Sequence, residues 1–315
     1  MTSRFSVHRL RLRQFALAAF ALTAPFVLPF AAALPGVPAT AAAEEVQKVD
    51  TSRLVTIGGA ITEIVYALGE GDRLIARDQT STYPEEALKL PDVGYMRALS
   101  PEGVLAVNPS AILSIEGSGP PDALAVLKNA GIPFETVPEG YDRAAILNKI
   151  TTVGDFLGVP DKAKALADEV AGDLDAAIAD AAKRPEAERK RVLFVLSFQD
   201  GKIMAAGAHT GADGILKLAG AVNATDGAFP GYKAMSDEAI ADAKPDAIMV
   251  MSRGGGHDSS DEQLLAHPAI ALTPAAASKT VIRMNSLHLL GFGPRTASAI
   301  RDLNERLYGK ADVSQ

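Results

Sequence analysis

Two short segments of the chain carry a tyrosine, a nearby base and a glutamate in the same order. The segment GYMRALSPE recurs, one residue shorter, as GYKAMSDE. Tyr95 has Arg97 two residues away, whereas Tyr232 is followed directly by Lys233. A free phenol has a pKa of about 10, but its anion is a hard ligand for Fe(III), and a neighbouring guanidinium favours that anion. The first copy is therefore a candidate iron site, and packing or surface exposure is the alternative for each tyrosine.

The glutamates of the two segments, Glu102 and Glu238, are predicted to lie in the first turns of matching helices. A carboxylate there interacts favourably with the helix dipole, so a capping role accounts for them in part. The similarity continues beyond them, since VLAVNPSAIL is matched by IADAKPDAIM. The period is far longer than the roughly 20–50 residues of solenoid repeats. It indicates two similar lobes that face each other across a cleft.

Ligands of open α/β sheets bind beyond the carboxyl ends of the strands. Three segments qualify: the turn Gly58–Gly59, the loop that carries Tyr95, and the glycine-rich loop at 252–257. In this last loop, Arg253 could approach Tyr95 from the facing lobe. His257 could reach a bound iron, and a solvated loop histidine is its alternative.

Several catalytic motifs are missing from the sequence. It contains no G-x-S-x-G elbow, no Walker A loop and no H-E-x-x-H pair, and Gly58–Gly59 lacks the spacing of a dinucleotide-binding turn. Beyond the N-terminal leader it has four histidines, and a bare zinc or manganese site would need three or four ligands in a tight set. A secreted two-lobed enzyme remains as an alternative, and we expect no enzymatic activity.

Residues 1–43 are predicted to be a signal peptide, because four arginines precede an apolar run that ends in small residues. A single-span membrane anchor is the alternative. Without these arginines, the chain has 27 Lys and Arg residues and 38 Asp and Glu residues, which gives a net charge near −11. This charge argues against binding to nucleic acid or to anionic membranes. The chain has no cysteine, so neither a disulfide nor a lipid-anchoring cysteine is expected, and a soluble periplasmic protein is predicted.

Strand-like and helix-like segments alternate through most of the chain, which predicts an α/β fold with parallel sheets. The alternation is interrupted at 161–182, where apolar residues follow helical spacing for six turns. We therefore predict two Rossmann-like lobes joined by a single long helix, with the ligand cleft between the lobes; one large sheet with an external helix is the alternative. The predicted boundaries are 44–140 for the N-terminal lobe, 141–184 for the linking helices and 185–315 for the C-terminal lobe.

The chain resembles the haem-binding periplasmic proteins of bacterial haem ABC importers. The resemblance rests on LVTIGGAITEI at the first strand, LPDVGYMR around Tyr95, LFVLS with MAAG, and the late LTPA and LLGFG. It covers nearly all of residues 53–309, and the GYMR element is its most specific part. The family has two α/β lobes joined by one long helix, as the alternation also predicts.

The resemblance implies that Tyr95 is the axial ligand of ferric haem b, the transported ligand. It also implies that an arginine such as Arg253 bonds the tyrosinate or a propionate, with Arg97 close by. Some members have a histidine as second iron ligand where this chain has Phe198, so a five-coordinate iron or another sixth ligand is expected, with Phe198 against the porphyrin. Tyr232 is predicted to line the facing wall. His209 could reach a propionate, or could serve as a cap or surface residue.

The same resemblance implies a partner, an inner-membrane ABC permease dimer that grips one acidic residue of each lobe. Glu102 and Glu238 are the candidates. The protein is predicted to be a monomer that does not insert stably into a membrane. A ferric siderophore or cobalamin is the alternative ligand within the same fold.

Overall fold

The computed structural model describes residues 49–252 and 259–309. These residues belong to one compact unit, Gln47–Gln315. The predicted signal peptide, 1–43, lies outside the described residues. Among the residues described, no helix has both the length and the apolar character needed to cross a membrane.

The N-terminal lobe is built around a parallel four-stranded sheet in the order β2-β1-β3-β4. Its central strands are buried along their whole length, as expected of a parallel sheet with helices on both faces. The elements are β1 Leu54–Ile57, α1 Gly59–Ala67, β2 Leu74–Arg77, α2 Pro101–Leu105, β3 Ala111–Ile115, α3 Pro121–Lys128 and β4 Phe134–Val137.

Two helices follow the N-terminal lobe, within the segment predicted to hold the linking helices: α4 Arg143–Phe156 and α5 Pro160–Ala182. They pack closely at Gly154. A Cβ atom added at that position would lie 2.1 Å from the Ala163 methyl group, so the close approach needs glycine. The predicted apolar stripe of α5 is buried, and α5 packs on both α4 and α12 of the C-terminal lobe. The long helix is thus confirmed, with α4 as its neighbour.

The C-terminal lobe has a mixed sheet in the order β10-β9-β5-β6-β8, with short β7 pairing β5. Strands β6 and β8 are antiparallel to their neighbours, whereas the alternation predicted only parallel strands. Its strands are β5 Arg191–Gln199, β6 Lys202–Ala206, β7 Val222–Asn223, β8 Tyr232–Ala234, β9 Ala247–Ser252 and β10 Val281–Asn285. Its helices are α6 Gly211–Leu218, α7 Asp237–Ala243, α8 Asp261–Leu265, α9 Pro268–Ala271, α10 Pro274–Ser278, α11 Ser286–Leu290 and α12 Thr296–Tyr308.

The sequence repeat is visible in the topology. In the N-terminal lobe β1 pairs β3 and β3 pairs β4, all parallel. In the C-terminal lobe β5, β9 and β10 pair in the same way. The helices that precede β3 and β9 both begin after a serine whose hydroxyl accepts a backbone hydrogen bond, a common N-terminal cap. The repeat is therefore a helix–strand unit at the same place in each sheet.

The two lobes make direct contact. A side chain on Gly59 at the start of α1 would lie 2.6 Å from Leu287 of α11, so glycine permits this close approach. Nearby, buried Glu63 of α1 pairs with Arg295 at the start of α12 at 2.8 Å. Gly58 and Gly59 are buried, so their turn forms part of the lobe contact instead of a ligand-facing loop.

Candidate functional site

The loop that carries Tyr95 is pinned to its sheet by a buried arginine. Arg77 is 9% exposed and its guanidinium pairs with Asp92 at 2.8 Å. The other carboxylate oxygen of Asp92 accepts the Gly94 amide at 2.8 Å. Gly94 has a φ of +104°, in the region that strongly favours glycine. The segment just before Tyr95 is thus fixed by one ion pair and one glycine turn.

The backbone around Tyr95 is also bonded to both neighbouring loops. The Gly94 carbonyl accepts the Gln79 amide at 2.9 Å, and the Met96 carbonyl accepts the Gly119 amide at 2.9 Å. Gln79 follows β2 and Gly119 follows β3, so the loop lies at the carboxyl edge of the sheet. This is the edge where the sequence analysis expected a ligand.

Tyr95 presents its phenol to the outside of this loop. The residue is 38% exposed, and the Arg97 guanidinium donates a hydrogen bond to its hydroxyl at 3.2 Å. A donor at the phenol oxygen stabilises the phenolate form. Rigid backbone, an accessible oxygen and a cation together make a suitable position for an anionic oxygen ligand.

Two further tyrosines lie in the field of Arg97. Burial raises the pKa of Tyr232, Tyr141 raises it further, and Arg97 and Thr210 act in the opposite direction. Burial also raises the pKa of Tyr141, with Glu139 adding to the rise and Arg97 opposing it. Tyr232 belongs to the C-terminal lobe and Tyr141 follows β4 of the N-terminal lobe. Arg97 is therefore the cation shared by three phenols from both sides of the cleft.

Tyr141 is a site residue that the sequence analysis missed. Its ring packs on Phe292 with centroids 5.1 Å apart, and a side chain on Gly214 would come within 2.5 Å of its Cβ. Tyr141 lies in the short loop that follows β4. The rule that ligands bind at the carboxyl ends of strands would therefore have identified it as a candidate. The signal was weaker than for Tyr95 because no repeat and no basic neighbour marks Tyr141.

A buried ion pair supports the segment that bears Tyr141. Lys149 of α4 is 0% exposed and bonds a carboxylate oxygen of Glu139 at 2.7 Å. The Glu139 amide in turn donates to Glu116 at 3.0 Å. A buried ammonium without its carboxylate is strongly unfavourable, so Lys149 holds Glu139, and with it the chain leading to Tyr141, in place.

The other residues predicted to contact the ligand are not gathered around Tyr95 in the part of the chain that the structure describes. Phe198 is half-buried at the end of β5 and meets His267 edge-on with ring centroids 5.7 Å apart. Its ring thus packs within its own lobe. His209 is exposed, and its amide donates to Asp213 at 3.2 Å, while Thr210 caps α6. Arg253 and His257 lie outside the described residues.

Glu102 and Glu238 occupy equivalent positions. Each is exposed and lies in the first turn of its helix, as predicted. The Ser100 hydroxyl donates to Glu102 at 2.7 Å and, with the amide of Glu102 itself, holds the pKa of that carboxyl below its usual range. The helix caps themselves are Ser100 and Ser236, so neither glutamate is needed as the capping residue.

Carboxylate, imidazole and thiolate side chains do not gather into a metal centre in the part of the chain that the structure describes. No group of three or more His, Cys, Asp or Glu residues there could hold a metal ion. The Tyr95 phenol offers one oxygen ligand.

Comparison with known proteins gives one family and several relatives. The profile of the family described as "Periplasmic binding protein" matches residues 54–287. A solved structure of the periplasmic haem-binding protein BhuT, in complex with two haems, superposes with a TM-score of 0.76 at 39% identity, covering 81% of this chain and 97% of that one. Further periplasmic haem-binding proteins are among the matching solved structures.

Two curated relatives have other names. An uncharacterised ABC transporter substrate-binding lipoprotein, YvrC of Bacillus subtilis, is 31% identical over 64% of this chain, which spans 64% of that relative's length. The vitamin B12-binding protein of Vibrio parahaemolyticus is 28% identical over 80% of this chain and 88% of its own. Both relatives are named as binding proteins. The first name gives no solute, and the second gives vitamin B12 instead of haem.

Proposed function

The chain belongs to the periplasmic binding protein family, and from that premise we propose that it captures ferric haem through a tyrosinate and delivers it to an ABC importer. The observation that carries this proposal is the Arg97 hydrogen bond to the exposed Tyr95 hydroxyl. The 39% identity to the haem-binding protein BhuT supports the same ligand class.

In this proposal the iron is cargo, brought by the porphyrin with four nitrogen ligands. Tyr95 supplies one axial oxygen, and Arg97 stabilises the negative charge on that oxygen. Tyr232 would line the opposite wall, and Tyr141 would lie in the field of Arg97 from the N-terminal lobe. Desolvation raises the pKa of both phenols, which favours Tyr95 as the single anionic oxygen in this proposal.

Arg253, Phe198 and His209 complete the proposed haem surroundings. Arg253 would approach the tyrosinate or a propionate from the C-terminal lobe. His209 is exposed and can reach an acidic group. Phe198 would cover the porphyrin only if its present packing against His267 changes when ligand binds.

Delivery in this proposal uses the matched acids. Glu102 and Glu238 would each meet a basic residue of one permease subunit, so the protein would dock on the permease dimer at two points. Both carboxylates are exposed on equivalent helices, which supports a symmetric grip. The proposed location is the periplasm, and the proposed working form is a monomer.

A visible titration tests the haem proposal. Ferric haem is added to the purified protein, and a high-spin tyrosinate spectrum is expected at stoichiometric haem. Tyr95→Phe should abolish that spectrum. Tyr66→Phe is the control because Tyr66 lies near the end of α1 against Gly71 and belongs to neither proposed site, and it should leave the spectrum unchanged. Absence of a Soret shift in the unaltered protein would contradict the proposal.

Cobalamin is the second candidate, because the match to a vitamin B12-binding protein covers 80% of this chain. The two ligands can be separated in one assay. Cobalamin already carries its cobalt ligands, so its binding should not depend on the Tyr95 oxygen. Tight binding of cobalamin that survives Tyr95→Phe, together with weak haem binding, would favour this candidate.

A further inference from the structure

A cavity of about 350 Å³ lies at the contact between the lobes. The N-terminal lobe contributes Thr82 and Tyr83 from the loop after β2. The C-terminal lobe contributes Arg283 and Asn285 from β10 and Arg306 from α12. None of these residues entered the site around Tyr95.

The acidic groups around this cavity are already engaged. Asp302 accepts from His288 at 2.8 Å, and Glu63 accepts from Arg295 at 2.8 Å. Asp261 accepts from Arg283 at 2.7 Å. Each carboxylate thus has a donor of its own, and the remaining hydrogen-bonding capacity of the cavity is mainly that of donors.

Arg306 is the exception among these arginines. It lines the cavity, is exposed, and forms no ion pair within residues 49–252 and 259–309. Arg283 and Arg295, by contrast, are each held by a carboxylate. A guanidinium presents several N–H groups in a fixed plane that matches a carboxylate, so Arg306 is available to an external anion.

The wall from the N-terminal lobe is preorganised. The guanidinium carbon of Arg295 lies 3.5 Å from the centroid of the Tyr83 ring. This contact crosses the lobe boundary. Tyr83 and Asn285 both line the cavity. The Asn285 side-chain oxygen accepts the His288 amide at 3.1 Å, which leaves its NH2 group as a donor. A small anion in the cavity would therefore contact both lobes at once.

We propose that this cavity binds a carboxylate group, with Arg306 as its principal charged partner and Tyr83 and Asn285 as neutral donors. The carboxylate could belong to a free small acid or to an acidic arm of the molecule held in the cleft. The second source rests on the proposed haem function, whereas the first does not. Because the ligand touches both lobes, it would favour their present contact.

The first arm of the test measures the thermal unfolding of the ligand-free protein with increasing succinate. Ligand that binds only the folded state raises the unfolding temperature. Succinate should stabilise the unaltered protein, and its apparent affinity should fall roughly tenfold in Arg306→Gln, as for the loss of one charge-assisted hydrogen bond. Arg301→Gln is the control, since Arg301 lies on the same helix but faces Asp173.

The second arm compares ferric haem with its dimethyl ester, which lacks free carboxylates. If a propionate occupies the cavity, the ester should bind the unaltered protein roughly tenfold more weakly, and Arg306→Gln should make that difference smaller. Any remainder belongs to the other proposed propionate partners, Arg253 and His209. A response in either arm that Arg306→Gln reduces and Arg301→Gln retains supports the proposal and identifies the source. Equal responses of the two variants in both arms would overturn it. If haem does not bind at all, the proposed function fails, and the succinate arm alone decides whether the cavity binds a carboxylate.

Discussion

The two copies of the repeat have the same helix and strand but different tyrosine environments. Tyr95 lies in a loop fixed by the Arg77–Asp92 pair, with Arg97 at its hydroxyl. Tyr232 instead begins β8, an edge strand that pairs with Ala206 of β6. Its neighbour Lys233 lies 6.0 Å from the centroid of the Phe229 ring. The same sequence pattern therefore gives an open phenol–arginine pair in one lobe and a strand residue in the other.

The tyrosines and the glutamates of the repeat therefore meet two different requirements in the proposed function, one for the ligand and one for the permease. A grip on a symmetric partner needs equivalent acids, and Glu102 and Glu238 have retained equivalent positions. A single metal with a porphyrin needs only one protein oxygen, so the second tyrosine is free to become part of a sheet. The comparison predicts that changes to the glutamates act symmetrically and changes to the tyrosines do not.

The largest expected effect concerns transport. Replacing Glu102 and Glu238 together with glutamine should abolish haem uptake in cells while leaving haem binding by the purified protein intact, because in the proposal these acids contact the permease and not the ligand. Each single variant should reduce uptake to a similar extent. Glu262→Gln is the matched control, since Glu262 also follows a serine cap in the first turn of its helix. Normal uptake by the double variant would remove the docking role.

The next effect concerns the two tyrosines. Tyr95→Phe should weaken haem binding by more than the roughly 10–100-fold that loss of an outer-shell partner costs a metal site, because it removes the axial oxygen itself. Tyr232→Phe should change the dissociation constant only slightly, since the ring that lines the wall is kept. Both are measured by titration in visible light. Equal losses in the two variants would make the site symmetric and would contradict the comparison.

A smaller effect is expected from the bases beside the tyrosines. Arg97→Gln should weaken ferric haem binding by about 10–100-fold, as expected for a group that orients and stabilises a metal ligand. Lys233→Gln should have little effect, because its ammonium lies over Phe229 and not at a phenol oxygen. Tyr95 should still ligate iron in Arg97→Gln, so the tyrosinate spectrum should persist at saturating haem. Its complete loss would assign Arg97 a different role.

Much of this fold could be predicted from the sequence, because its elements have strong local signals. The sequence predicts strands at Leu54–Ile57, Ala111–Ile115 and Phe134–Val137, and β1, β3 and β4 have these bounds. Helix α5 follows a long apolar stripe, with Pro160 at its start and Lys183–Pro185 as its stop signal. The antiparallel strands β6 and β8 were missed. Strand β8 has three residues and is exposed along its length, so it lacks the apolar alternation that identifies a strand.

The candidate site was only partly predictable for a related reason. Tyr95 and Arg97 are neighbours in sequence, so their pairing could be expected from the chain alone. Tyr141 comes close to Arg97 only because the N-terminal lobe folds, and the Lys149–Glu139 pair that supports its segment joins the partly buried loop after β4 to α4. The packing of Phe198 against His267 likewise depends on helices that follow much later in the chain.

The smallest expected effect is a difference in titration within the free protein. Tyr232 is 42% exposed as a whole residue, but partial desolvation still raises the pKa of its phenol above the ordinary value of 10.0. Its native form therefore keeps the proton to higher pH than its unfolded form does. Its contribution to the free energy of unfolding should be present below pH 10 and should be lost as pH rises through the native pKa. Ultraviolet titration of tyrosinate absorbance should show a late component, to which Tyr66 and Tyr141 also contribute, and Tyr232→Phe should reduce this component by one phenol. Arg97→Gln should move it to still higher pH, because Arg97 lowers this pKa. An unchanged titration in Tyr232→Phe would mean that this phenol is as open to water as an ordinary one, and the asymmetry between the two copies would then rest on Arg97 alone.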